Sequence, residues 1–382
     1  MTKTEELMTE NAMAAQEIIA RNAKEVDRER RFPRENITAL GRCRVLGLLV
    51  PVEHGGAGGG LAEMSRALEQ LAQACPSTAM VVLMHFCGTA VIAAKGSAKL
   101  KQALLPAIAR GEHLTTVAFS EPGSGGHFYF PVSQARPNGH GFFLNANKSF
   151  VTSAGEADSY VVSARAVNAK TPQESALFLV DKRAEGLEVL GRFEGLGLAG
   201  NASAPMRLHN VAVDAEHQLG EEGSGFETML EVVLPHFQIG AASVSLGIAA
   251  AAFQMATTHV SARKYEHAAG AALAEIPRVQ FLEAEMVLEL RSARAYLAET
   301  IRRAVSGDPE AMLDVIGIKA RAAEASLAVV SRAMTLGGGA AYASPGGLER
   351  IFRDAQAASV MAPTTDVLKD FLGKAALGLP LL

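Results

Sequence analysis

Hydroxyl, glycine and carboxylate side chains cluster in two segments, Phe119-Ser120-Glu121-Pro122-Gly123-Ser124-Gly125 and Lys148-Ser149-Phe150-Val151-Thr152-Ser153-Ala154-Gly155-Glu156-Ala157-Asp158. Taken singly they are ordinary: Glu-Pro-Gly is commonest as a turn, and Ser120 and Thr152 read as satisfied surface hydroxyls. Metal chemistry is not indicated. The three cysteines, Cys43, Cys75 and Cys87, are odd in number, widely spaced and without a C-x-x-C pair, unlike a disulfide framework or a structural zinc site. That usage fits a reducing cytoplasm. The run Gly55-Gly56-Ala57-Gly58-Gly59-Gly60 has the composition of a phosphate loop but no preceding strand and no lysine-bearing helix after it, so a flexible interhelical loop is expected. His236 can accept a proton near neutral pH, yet most of the ten histidines have no catalytic task in a chain of this length.

The 382 residues, 49% hydrophobic and 20% charged, suffice for two or three domains or one large one. Lys plus Arg (36) nearly balances Asp plus Glu (40), for a net charge of −4. That balance argues against disorder and against a polyanion-binding surface. The longest basic stretch, Arg28 to Arg34, also carries Glu29, and no nucleic-acid partner is expected. Glu5, Glu6 and Glu10 deny the N-terminus the basic-then-apolar profile of a signal peptide. The apolar stretches Thr78 to Ala94 and Val244 to Val260 fall short of the ~20 residues that span a bilayer, contain His85, Gln254 and His259, and are expected as helices buried all round. No membrane partner is expected.

Three regions must position these side chains. Residues 1–113 follow a helical period punctuated at Pro33, Pro51 and Gly96. Residues 114–220 carry strand and turn signals: Ser159 to Arg165 beside Leu177 to Val180, and Met206 to Val213 with a phase slip at His209-Asn210 that predicts a bulge. Residues 221–382 return to helices. There Ser224-Gly225-Phe226-Glu227 predicts a capping box and Pro235 a break. Leu282, Met286, Leu290, Ala293, Leu297, Ile301 and Ala304 trace one apolar face. Asp308-Pro309 opens a helix with Met312, Ile316, Ala323, Leu327, Val330 and Met334 inward, and a final helix begins near Thr364 or Thr365.

Several motifs, in order across essentially the whole chain, resemble those of the acyl-CoA dehydrogenase family of flavoproteins. Gly47-Leu48-Leu49-Val50-Pro51 with His54-Gly55-Gly56 is similar to the family's G-hydrophobic-x-V-P and Y-G-G segment. The segment at 119–125 resembles T-E-P-G-A-G, and that at 148–158 resembles K-x-W-I-T-N-G-x-x-A-D. Leu219 to Phe226 resembles L-G-x-E-G-x-G-F, Ala262-Arg263-Lys264 the start of E-R-x-x-F-G, and Arg353-Asp354-Ala355 the late R-D-A. The fold implied is α+β, with an N-terminal helical domain, a central small β-barrel and a C-terminal helical bundle.

The resemblance implies FAD as cofactor. Val117, Phe119, Ser120, Phe150 and Thr152 would serve the flavin ring, with Phe150 where the family usually has a tryptophan. Arg263, Gly338, Gly339 and Thr364 would lie near the rest of the cofactor, Arg263 across a subunit interface, which implies a homodimer or homotetramer. Tyr265, Glu266 and His267 depart from the family pattern after that arginine. The family's usual catalytic glutamates are missing as well: the two positions carry Ala362 and Phe237. Gln238 replaces an arginine near the CoA end, and Gly126-His127 a common Ser-Asp pair. No catalytic residue is assigned, Asp366 and His236 being merely the neighbours of the two empty positions.

The implied function is FAD-dependent α,β-dehydrogenation of an acyl thioester with a non-standard base, electrons passing to a separate acceptor. The alternative is a flavin-dependent monooxygenase on the same fold, served by a flavin reductase, whose chemistry needs no α-proton base. A third reading is a ligand-binding or elimination-type relative whose flavin is structural.

Overall fold

The computed structural model describes residues 3–192, 194–268, 270–343 and 346–381; the outermost expected domain limits, residues 1 and 382, lie outside them. Helices α1 (Lys3–Arg28), α2 (Arg34–Arg42), α3 (Leu61–Ala74), α4 (Pro76–Lys95) and α5 (Ala98–Ala109) make up the first region. Pro76 opens α4 at a position where a missing N–H costs nothing. Every residue of α4 from Pro76 to Ile92 is buried except Met84. With 20 residues, α4 is long enough to span a bilayer, contrary to the expectation from its apolar stretch, and Gly225–Ala262 passes the same test; 83% and 72% of their most apolar windows are buried against the rest of the protein. The glycine run before α3 is tucked rather than flexible. The Gly58 and Gly59 amides donate to Val50 O and Leu48 O at 2.9 and 2.8 Å, and a Cβ on Gly56 would stand 2.1 Å from Val50 O.

Strands β1 (Thr115–Ala118), β2 (Arg136–Pro137), β3 (Gly141–Val151), β4 (Ser159–Arg165), β5 (Ser175–Asp181), β6 (Leu187–Val189), β7 (Ala204–Asp214) and β8 (Gln218–Leu219) follow. They form two four-stranded sheets, ordered β1-β4-β5-β8 and β2-β3-β7-β6. The expected closed barrel is not found: among the described residues no ladder joins one sheet to the other. β1 pairs with β4 in parallel, and the remaining neighbours are antiparallel. The slip read at His209-Asn210 is a bulge, since Leu144 pairs with Val211 but Ala146 with Leu208, and Asn210 takes φ 51°.

The third region holds α6 (Gly225–Thr228), a π turn (Met229–Val233), α7 (Leu234–Ala262), the two-stranded ladder β9 (Lys264–Tyr265) with β10 (Ala271–Ala272), then α8 (Pro277–Ser306), α9 (Ala311–Tyr342), α10 (Leu348–Val360) and α11 (Thr365–Ala376). Ser224 stands at the N-cap of α6, but its hydroxyl donates to Glu221 O at 2.8 Å, so the expected capping box does not form. Pro235 lies in the first turn of α7, and the irregularity precedes it as the π turn. On α8, Leu282, Met286, Leu290, Ala293 and Leu297 are buried as the period requires, whereas Ile301 and Ala304 are half-buried. On α9, Met312 is exposed rather than inward because the chain has only just entered the helix at Ala311. α7 is the central element, packed on α3, α4, α8, α9 and α10. Arg353 on α10 reaches back to α1, its guanidinium lying 2.6 and 3.0 Å from the Asp27 carboxylate.

Candidate functional site

A cavity of about 530 Å³ lies where β1, the end of β3, α4, α7 and the α10–α11 connection meet. Six of the nine residues read from the sequence line it: Val117, Phe119, Ser120, Phe150, Thr152 and Thr364. β1 carries Val117 and leads directly into Phe119 and Ser120, and β3 carries Phe150 with Thr152 just past its end. The two segments are tied by a bond from the Ser149 amide to Ser120 O at 2.9 Å. Sequence reasoning missed Met80 and Met84 of α4, Val233 of the π turn, Leu198 of the Gly195–Gly200 turn and Asn201 just after it. Met84 is the one residue between Pro76 and Ile92 that the core does not bury, but nothing in its apolar run marks it in the sequence. The other residues are brought together only by tertiary packing.

A buried ion pair sets the β-sheet wall. The Lys148 ammonium donates to Glu121 Oε1 at 2.6 Å and to Ser163 O at 2.7 Å, with neither charged side chain more than 1% exposed. The Val132 and Ser133 amides donate to Glu121 Oε2 at 2.8 and 2.9 Å. Burial pushes the Glu121 pKa up, but Lys148 and the Ser133 hydroxyl outweigh it and hold the carboxyl below its ordinary range. Burial pulls Lys148 down against the attraction of Glu121. With four donors converging on one carboxylate, the charged pair is favoured over a neutral one. Glu121 borders the cavity, yet its oxygens are committed elsewhere.

On the helical side, the fully buried Lys319 ammonium donates to Ala358 O, Met361 O and Pro363 O at 3.0, 3.0 and 2.8 Å. Asp354, also buried, accepts the Leu198 amide at 2.6 Å, and burial pushes its carboxyl up to about 7. That bond holds the Gly197-Leu198 turn against α10, where a Cβ on Gly197 would come within 2.3 Å of Arg353 O.

Residues 2–112 match the family model for the acyl-CoA dehydrogenase N-terminal domain, residues 116–211 that for the middle domain, and residues 223–377 that for the C-terminal domain. The chain belongs to the acyl-CoA dehydrogenase family. It is similar to a short-chain-specific acyl-CoA dehydrogenase of Clostridium acetobutylicum, with 28% identity over 91% of this chain and 90% of the relative. The mitochondrial short-chain-specific acyl-CoA dehydrogenase of Mus musculus is 31% identical over 90% of this chain and 83% of its own. The structure of butyryl-CoA dehydrogenase from Megasphaera elsdenii superposes with a TM-score of 0.92 at 25% identity, covering 99% of both chains.

Acyl-CoA dehydrogenases are flavoenzymes that carry FAD, and the cavity of this family member fits that group. A flavin ring presents an apolar body and a hydrogen-bonding edge. The walls at Met80, Val117, Phe119 and Phe237 are apolar, while the Ser120 and Thr152 hydroxyls border the cavity without a hydrogen-bond partner among the described residues. The buried Thr365 hydroxyl is likewise unpartnered, in the first turn of α11. Arg263, Gly338 and Gly339 do not line the cavity. Arg263 is exposed at the C-cap of α7, and α9 loses helical geometry at Gly338 (φ 52°, ψ −140°); among the described residues, a Cβ on Gly338 or Gly339 would meet nothing within 4 Å beyond its chain neighbours and own helix backbone.

Ala362 and Phe237, the two positions expected from the family resemblance to lack a glutamate, both line the cavity. His236 and Asp366 do not line it. The His236 Nδ1–H donates to Val232 O at 2.7 Å, and burial pulls its pKa down. Asp366 is exposed in the first turn of α11. Gln238 is fully buried, with neither amide atom bonded, and is also absent from the lining.

Proposed function

We propose that this chain is an FAD-dependent oxidoreductase forming an α,β-double bond in an acyl thioester without a carboxylate base of its own. The observation that carries this reading is the cavity wall itself: two unpartnered hydroxyls on an apolar surface, with Ala362 and Phe237 at the base positions and Glu121 locked to Lys148. When bound, FAD supplies a two-electron acceptor and, in reduced form, a centre that reacts with oxygen. Ser120 and Thr152 would bond the polar edge of its ring, and Thr364 would lie near the cofactor. Met80, Met84 and Phe128 exclude water from the acyl chain, which strengthens every electrostatic interaction inside. The α-proton would pass to a non-standard base, because Glu121, the carboxylate on the described cavity lining, is held by Lys148.

The same wall favours a second reading, a flavin-dependent monooxygenase fed by a separate reductase, because that chemistry needs no α-proton base. Arg263, Gly338 and Gly339 stand open outside the single-chain cavity, which supports a homodimer or dimer-based tetramer in which a neighbouring chain completes the cofactor site. Light scattering of the FAD-loaded protein tests this, and a monomeric mass at full occupancy removes it. Three free cysteines support a reducing cytoplasm as its location.

The deciding experiment is anaerobic flavin bleaching by a panel of acyl-CoAs. A placed base is typically worth about a hundred- to ten-thousand-fold in rate, so straight-chain substrates should bleach the parent slowly and Ala362→Glu should bleach faster. Rapid bleaching of the parent by butyryl- or octanoyl-CoA would reveal a base elsewhere. Bleaching of neither protein, with oxygen-dependent turnover once a reductase supplies electrons, selects the monooxygenase.

A further inference from the structure

Three backbone carbonyls from one short stretch, Ala358, Met361 and Pro363, converge on the Lys319 ammonium at 2.8 to 3.0 Å. A helix leaves its last carbonyls unpaired, and its C-terminal end carries partial negative charge. Ala358 is one of these for α10, whereas Ala357 O is already taken by the Met361 amide at 3.0 Å. Met361 and Pro363 lie past the helix end, where no further turn can use their oxygens. Lys319 therefore satisfies three acceptors that the dry interior would otherwise strand, and its three N–H groups are all used. No carboxylate lies within ion-pair distance of it among the described residues, in contrast to Lys148. Burial pulls its pKa down to about 7, while three carbonyl acceptors favour the charged form.

The stretch so held is the helical wall of the cavity, since Ala357, Val360, Met361, Ala362 and Thr364 all line it. We propose that Lys319 is a positioning residue for the cofactor and substrate site, its ammonium tying the end of α10 to the start of α11 so that Ala362 and Thr364 form the wall. This rests on the reading of the cavity as an FAD and acyl-thioester site. Without the ammonium the three carbonyls must reach water, and they can do so only if the connection swings out.

The experiment compares the full-length parent with Lys319→Met, which keeps an apolar stem, with Lys319→Gln, which keeps one amide donor, and with Val329→Ala. Val329 is buried on the same helix and outside the cavity lining, so its truncation lowers stability without touching the wall. Two quantities are read: hydrogen exchange over residues 357–368, which include the bonded amides of Met361, Val367 and Leu368, and the FAD dissociation constant from flavin fluorescence. The methionine variant should accelerate exchange in that stretch at least tenfold and weaken FAD at least tenfold, with the glutamine variant between it and the parent. Val329→Ala should leave both near parental values. Parental exchange in Lys319→Met, or an acceleration no larger there than in Val329→Ala, overturns the proposal. Should the methionine variant not fold, the glutamine variant carries the same comparison. A parent that does not bind FAD sinks the cofactor reading, and the exchange arm then decides the role of Lys319 alone.

Discussion

The two walls of the cavity are each set by a buried lysine, and they solve the problem of a buried charge differently. On the sheet side Lys148 meets Glu121, and six further donors and acceptors join the network: the Val132 and Ser133 amides, the Ser133 hydroxyl, Phe119 O, Ser163 O and the Ser163 hydroxyl. On the helical side Lys319 meets only carbonyl oxygens. An ion pair in a low-dielectric interior is costly to break, because its surviving partner remains as an uncompensated charge. Carbonyls left behind are neutral and can be rehydrated by a modest movement of a connection. The sheet wall is thus a rigid platform whose failure is global, and the helical wall a tied segment whose failure is local.

The largest expected effect follows from breaking the rigid side. Lys148→Met should cost about 3 to 5 kcal/mol in urea unfolding by stranding the Glu121 carboxylate. Lys148→Met combined with Glu121→Leu should recover a substantial part of that loss. A single variant within about 1 kcal/mol of the parent would show that the pair is not the anchor of this wall.

A smaller effect comes from His85 behind the same wall, whose Nε2–H donates to Leu46 O at 3.1 Å while Nδ1 accepts the Thr115 amide at the start of β1, at 3.2 Å. That arrangement requires the neutral ring, and burial pulls its pKa down to about 4. Between pH 6.5 and 4 the unfolded chain binds a proton that the folded one refuses. Stability from this group is therefore full above the unfolded pKa and is lost as pH falls through that window, by about 3 kcal/mol at the acid end. His113 and His236, also depressed by burial, act in the same direction. Denaturant midpoints at pH 7 and pH 5 measure the slope, and His85→Leu should flatten it while lowering stability at pH 7. An unchanged slope would reject the assignment.

The smallest stability effect belongs to the tied side. Thr364→Ala removes an N-cap whose hydroxyl accepts the Val367 amide at 3.4 Å, worth about 0.5 to 1 kcal/mol. FAD affinity should fall by more than stability does, because Thr364 also lines the cavity. Equal losses in the two would place Thr364 outside the cofactor's reach.

Legibility in the sequence follows the same division. Order and type of the major elements could be read, because Leu282 to Leu297 repeat at helical spacing and Ser159 to Arg165 with Leu177 to Val180 form neighbouring strands. The sheet wall was legible too, since Ser120 and Thr152 sit inside contiguous motifs whose ends are tied by a local network. The two unclosed sheets were not, because pairing partners such as β1 with β4 are decided by tertiary packing rather than by strand period. Nor was the role of Lys319. A lysine on a helix that also carries Asp314, Arg321, Glu324 and Arg332 reads as a solvated residue, and its carbonyl partners lie about forty positions away on a turn with no side-chain signature.

The helical wall has a consequence for the order in which the molecule is made. The cavity takes residues from Met80 onward but is not enclosed until the connection around Ala362 has been synthesised and docked, by which time the two sheets and α7 have long left the ribosome. A nascent chain released before α10 and α11 would present Ser120 and Thr152 on an open surface, and the clamp from Arg353 to Asp27 of α1 would be missing with them. Closure of the cavity then belongs to the last act of folding, so that an enclosed cavity certifies a finished chain.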